Sequence, residues 1–94
     1  MNEDLFYKIG EWSKKVFSDA NSIDHLQKLK IEAQEAQETP YRIEEYADCA
    51  IAFFSAAYKA DISFYELIEA IKDKFEVNKQ RKWKKLSDGT YQHY

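Results

Sequence analysis

The sequence predicts an all-α protein, an antiparallel helical bundle of about four helices completed by association with further copies of itself. Three observations lead there. Apolar residues recur at three- and four-residue spacings in four separate stretches, and no stretch alternates with a period of two. Two Gly and one Pro leave few places to interrupt regular structure. Finally, 94 residues make one domain at most and bury a limited core, yet 16% of the chain is aromatic, more than a small lone core needs.

The first helix is carried by Leu5, Ile9, Trp12 and Val16, which share one face. Asn21 or Ser22 can cap the second, with Asp24 favouring its positive end. Leu26, Leu29, Ala33 and Ala36 form its apolar stripe, and Thr39-Pro40 stops it. The third runs from about Ile43 to Ala60, with Ala47, Ala50, Ile51, Phe54 and Ala57 as apolar positions. Ser63 through Glu66 reads as a capping box, and Leu67, Ile68, Ile71 and Phe75 carry a fourth helix to about Trp83. Short connections between such helices favour an up-and-down bundle. A single helical domain is thus expected over residues 1–86, with 87–94 a turn and tail.

Seventeen acidic residues against fourteen basic ones give a net charge of −3, and no basic stripe is visible, which argues against a nucleic-acid-binding protein. No apolar run approaches a membrane span, and Met1 to Asp4 is acidic where a signal peptide would be basic. The single cysteine, Cys49, rules out an internal disulfide, so a reduced cytoplasmic setting is the default expectation.

The informative anomaly is on the second helix. Lys28, Glu32 and Glu35 share a face that lies one residue, about 100°, from the apolar stripe. Glu45 and Asp48 on the third helix flank Ala47 and Ile51 in the same way. A short connection lets the pairs Glu32/Glu35 and Glu45/Asp48 face each other. Four carboxylates in one groove raise one another's pKa unless a cation neutralises them. Oxygen-only ligands select Mg²⁺, Mn²⁺ or Ca²⁺, and Mg²⁺ completes its shell with water and phosphate oxygens. On spacing alone a solvated acidic helix face is the commoner explanation, since Glu is a strong helix former.

A second cluster lies downstream. Lys74, Asn78 and Arg81 follow spacings of four and three, with Trp83 close behind. Lys74 and Arg81 offer charge to phosphates, Asn78 offers hydrogen bonds to a phosphate or sugar, and Trp83 stacks on a base or simply packs. Taken alone, a basic helix end favoured by the macrodipole explains this cluster equally simply. His25 shares a side with the carboxylates and either touches a ligand or stays half-exposed. His93 either folds over a site or remains in a loose tail.

These residues resemble MazG-like, all-α nucleotide pyrophosphohydrolases. Glu32-Ala33-Gln34-Glu35 followed by Glu45-Tyr46-Ala47-Asp48 looks like the E-x-x-E…E-x-x-D signature of that family. The dATP/dGTP diphosphohydrolase branch, common in phages and bacteria, is closer still: Leu29 to Ala36, Pro40, Glu45 to Cys49, then Lys74, Asn78, Arg81, Trp83, Asp88-Gly89 and His93 follow its order and spacing. The resemblance covers about residues 23–94. It implies hydrolysis of a nucleoside triphosphate, dATP or dGTP, to the monophosphate and pyrophosphate. It implies Mg²⁺, with Mn²⁺ an alternative, held by Glu32, Glu35, Glu45 and Asp48; of these, Glu35 and Glu32 are the expected catalytic carboxylates, Glu35 orienting a water for attack. It further implies phosphate or sugar contacts from Lys74, Asn78 and Arg81, and a homodimer or homotetramer in a bacterial or phage-infected cytoplasm; Lys28 and Trp83 join them as candidate substrate contacts on their own placement and chemistry. The chain departs from the branch at Ile31, where many relatives have Glu, and at Ser55, where Asp is frequent. It also departs at Asp61, where Gly is usual, and at Lys28, where His is usual. Ser55 bears on a second metal or an activating base, so a nucleotide-binding module with weak turnover is the alternative, and a purely structural helical partner protein a further one.

Overall fold

The computed structural model describes residues 2–94; Met1, with which the expected domain begins, lies outside them. Its elements are α1 (Glu3–Val16), α2 (Ser22–Glu38), α3 (Ile43–Lys59), α4 (Phe64–Gln80), β1 (Trp83–Lys85) and β2 (Tyr91–His93). The four expected helices are present, and none is long and apolar enough to cross a membrane. Side chains cap the starts of α1 and α2. Asn2 Oδ1 accepts from the Leu5 N–H at 3.1 Å. Asn21 and Asp24 form a reciprocal capping box, at 2.9 and 3.0 Å. Tyr46 pins the α2–α3 connection by donating its hydroxyl to the Pro40 carbonyl at 2.7 Å. Asp61, after α3, has φ 62°, the left-handed conformation that Gly adopts without strain and Asp tolerates. The branch's preference for Gly at this position therefore has a backbone cause.

The residues up to Phe64 form one compact unit, and Tyr65–Tyr94 form a second. In the first, α3 is central and both α1 and α2 pack on it. The α1–α3 seam is an aromatic cluster. Phe6 is fully buried, with the rings of Tyr7, Phe54 and Phe64 at 5.1, 5.4 and 5.5 Å. Such edge-on and tilted contacts add to the apolar area they bury. One helical turn on, Gly10 lies so close to Tyr58 that an added Cβ would come within 2.3 Å of its ring. Tyr58 donates its hydroxyl to Glu11 in a short hydrogen bond, and Tyr7 accepts the Phe64 N–H at 3.2 Å.

The helix faces differ from those expected. Phe6, Gly10 and Ser13 face inward on α1, whereas Leu5, Trp12 and Val16 are about half exposed. On α2 the inward residues are His25 and Glu32, and Leu26 and Ala33 are exposed. On α3, Phe54 and Ala57 are buried as expected, but Ala47, Ala50 and Ile51 are exposed. Close helix approach at Gly10 and Ser13 rotates α1, and the buried polar pair His25 and Glu32 rotates α2, each by roughly one residue.

The second unit corrects the C-terminal expectation. α4 ends at Gln80 rather than near Trp83, and residues 83–93 form a two-stranded antiparallel hairpin. Trp83 pairs with His93, Lys84 with Gln92 and Lys85 with Tyr91. The expected division at 86/87 runs through its connection, where Gly89 has φ 95° and Asp88 accepts from the Thr90 N–H and hydroxyl at 2.9 and 2.7 Å. Those bonds hold the Asp88 carboxyl below its usual range.

Candidate metal centre

The α2–α3 seam is built differently. α3 presents Glu45, Cys49, Ala52 and Ala56 at spacings of four, three and four, all at least partly buried. Mostly small side chains leave room for what α2 brings, namely His25 and Glu32, which are seven residues apart and both buried. Glu32, Glu35 and Glu45 each offer a carboxylate oxygen within 4.8 Å of the others. The acidic stripe expected at the edge of the buried face thus has Glu32 at the seam itself.

Each member of the trio has a defined surrounding. Glu32 Oε1 pairs with the Lys28 ammonium at 3.0 Å. Glu45 Oε1 accepts from the Thr39 hydroxyl at 3.4 Å, a contact the sequence did not suggest. The second oxygens, Glu32 Oε2 and Glu45 Oε2, are buried and have no hydrogen-bond partner among the described residues. An unpaired buried carboxylate oxygen is costly, and a hard cation removes that cost. The donor set is oxygen alone, which suits Mg²⁺, Mn²⁺ or Ca²⁺. Glu35 is exposed, and its pKa is raised, first by the charge of Glu32 and then by partial burial. Lys28 is held protonated above its ordinary value by its hydrogen bond to Glu32 and by the charge of the same group.

Asp48 is not a member of the tight trio. It is exposed, and with Glu32 it lines an adjoining cavity of about 420 Å³, whose walls include Trp12, Phe17, His25 and Ser55. The Ser55 hydroxyl is buried and donates to the Ile51 carbonyl of its own helix at 2.8 Å. Cys49 is half-buried, and its thiol pKa is pushed up by burial and then by the charges of Glu32, Asp48, Glu45 and Glu35.

The downstream cluster assembles within the second unit. Arg81 Nη1 donates to Asn78 Oδ1 at 3.4 Å and lies 3.5 Å from His93 Nδ1. The Trp83 indole N–H donates to the Asn78 carbonyl at 3.0 Å, and its ring meets His93 edge-on at 5.9 Å. His93 is therefore part of the hairpin, beside Arg81 and Trp83. Lys74 is exposed on α4.

With this geometry in view, the relatives are informative. Residues 5–94 match the dATP/dGTP pyrophosphohydrolase family. A dATP/dGTP diphosphohydrolase of Salmonella phage PMBT28 is 34% identical over 86 residues, which is 90% of this chain and 29% of that protein. The chain thus spans less than a third of the length of that curated relative. The cyanophage S-2L MazG-like pyrophosphohydrolase, bound to dGDP and three catalytic Mn²⁺ ions per active site, shares the fold with a TM-score of 0.80. That match is 24% identical and covers 97% of this chain and 94% of the other.

Proposed function

The chain belongs to the dATP/dGTP pyrophosphohydrolase family, and on that premise we propose that it hydrolyses a purine deoxynucleoside triphosphate to the monophosphate and pyrophosphate, with Mg²⁺ or Mn²⁺ as cofactor. The observation that carries this reading is the pair of buried, unpartnered oxygens on Glu32 and Glu45 within the carboxylate trio. Glu32, Glu35 and Glu45 would hold the ion, with Asp48 at the margin. When bound, such an ion supplies positive charge to phosphate oxygens and acidifies a water.

The chain's own groups do the rest. Glu35 is the exposed member of the trio, and its raised pKa suits a carboxylate that orients a water and takes its proton. Glu32, fixed by the seam and by Lys28, positions the site. The Lys28 ammonium lies at the same place to meet phosphate oxygens. Lys74, Asn78, Arg81 and Trp83 are assigned phosphate, sugar or base contacts by their chemistry. Half-exposed Leu5 and Val16 support a homodimer or homotetramer, and the composition favours a reduced cytoplasm with neither nucleic acid nor membrane as partner.

Ser55 favours a second reading, because its hydroxyl is spent on its own helix: a nucleotide-binding module that has lost turnover. Incubating the protein with each deoxynucleoside triphosphate and Mg²⁺ or Mn²⁺, and assaying pyrophosphate, separates the two. Release from dATP or dGTP, lowered roughly 100-fold or more by Glu35→Gln, is expected. Binding without release selects the second reading, and neither binding nor release sinks both.

A further inference from the structure

The cavity beside the carboxylates is unassigned, and its walls differ from those of the acidic trio. The aromatic rings of Trp12 and Phe17 meet edge-on at 5.4 Å, and Phe17 meets the buried His25 ring at 6.2 Å. Ala52 and Ile51 on α3 complete the wall. Its volume, about 420 Å³, falls within the roughly 300–1,000 Å³ of small-molecule sites. Flat aromatic walls suit a flat aromatic ligand, since bases stack on such rings in a sequence-tolerant way.

Several polar groups around the cavity are engaged, and Glu32 and Asp48 lie on the side of the carboxylate trio. The Ser55 hydroxyl is donated to Ile51, Lys28 is paired with Glu32, and Asp24 Oδ2 caps α2. Asp19, on the loop between α1 and α2, is exposed, and among the described residues its carboxylate has no hydrogen bond or ion pair. A carboxylate only accepts, and it accepts two parallel donors well. Guanine presents two adjacent donors, N1–H and the N2 amino group. Adenine presents one, N6, beside the N1 lone pair, which would face the second carboxylate oxygen.

We infer that this cavity is the nucleobase pocket of the chain, and that Asp19 at its mouth makes it prefer guanine to adenine. The inference rests on the nucleotide reading above and adds the identity of the base. Because Glu32 belongs both to the cavity wall and to the carboxylate trio, a base here leaves its phosphates beside the carboxylates.

The test uses neutral nucleosides without metal, so it does not depend on hydrolysis. The full chain is titrated with deoxyguanosine, deoxyadenosine and thymidine while the Trp12 and Trp83 indole N–H resonances are followed by NMR. Deoxyguanosine should shift the Trp12 signal saturably, with deoxyadenosine roughly tenfold weaker, the worth of one charge-assisted hydrogen bond. Asp19→Asn, a surface change, should bring the two purines to within about twofold of each other. Absence of a saturable Trp12 shift with any nucleoside overturns the pocket. Equal binding of the purines by the unaltered protein, or an unchanged ratio in Asp19→Asn, overturns the assignment of Asp19. Guanine binding without pyrophosphate release counts against the proposed reaction alone, and release without a Trp12 shift counts against the pocket alone.

Discussion

Helix α3 packs against two neighbours in opposite styles. Toward α1 it makes a mainly aromatic seam, in which Phe6 is enclosed by rings and Gly10 admits Tyr58 at close range. Toward α2 it makes a polar seam, in which Glu32 is buried beside Glu45 and one oxygen of each lacks a partner. The first arrangement lowers the free energy of the folded chain by burying apolar area. The second leaves buried carboxylate oxygens unpaired, a cost that a bound cation would remove. One helix thus carries both the stability of the unit and the strain of its site.

Substitutions should show this as opposite signs. Phe6→Ala is expected to have the largest effect, about 3–5 kcal/mol of destabilisation in urea melts, against a total of roughly 5–15 kcal/mol for a typical domain. A loss below about 1 kcal/mol would mean that the aromatic seam is not the core of the unit. Glu32→Gln should leave metal-free stability unchanged or improved, yet remove the stabilisation by Mg²⁺ or Mn²⁺, about 2.7 kcal/mol at a hundredfold excess over Kd. If this variant destabilises the metal-free protein as Phe6→Ala does, the contrast between the seams fails. Gly10→Ala removes a poor helix former but places a methyl against Tyr58. A net loss of about 1–3 kcal/mol is expected from overpacking, whereas a gain would show that the seam yields.

The smallest effect is a pH dependence. Because Glu35 has a raised pKa when folded, the stability it contributes is fully present below its ordinary value of 4.5. That stability is lost as pH rises through the raised value. Melting temperatures in EDTA should therefore fall over that interval, and the fall attributable to Glu35 should vanish in Glu35→Gln and in saturating Mg²⁺.

Much of this was legible in the sequence. Caps and breakers act locally, so Asn21, Pro40 and the start of α3 at Ile43 could be read directly. The spacing of Glu32, Glu35, Glu45 and Asp48 marks them only as candidates, since a solvated acidic face explains it as well; the resemblance singles them out, and three of the four lie together. Which face turned inward was less legible. Hydrophobicity favours Leu5, Trp12 and Val16, but close packing selects Phe6, Gly10 and Ser13, and Gly10 reads as a weak point in a helix until its partner Tyr58 is known. His25 and Glu32 were obscured for a related reason, since a site that buries charge contradicts the rule that finds cores. The hairpin escaped because three-residue strands leave almost no period of two, although Asp88-Gly89 was its signal.

Cys49 has a chemical consequence that follows from its place on α3. Its thiol is kept protonated partly by the negative field of Glu32, Asp48, Glu45 and Glu35. A divalent cation on those carboxylates would cancel most of that field and leave burial as the remaining cause. Thiolate is the form that alkylating reagents attack. The rate at which iodoacetamide modifies the chain's single cysteine should therefore rise with occupancy, giving the unmodified protein an internal reporter of its own metal content.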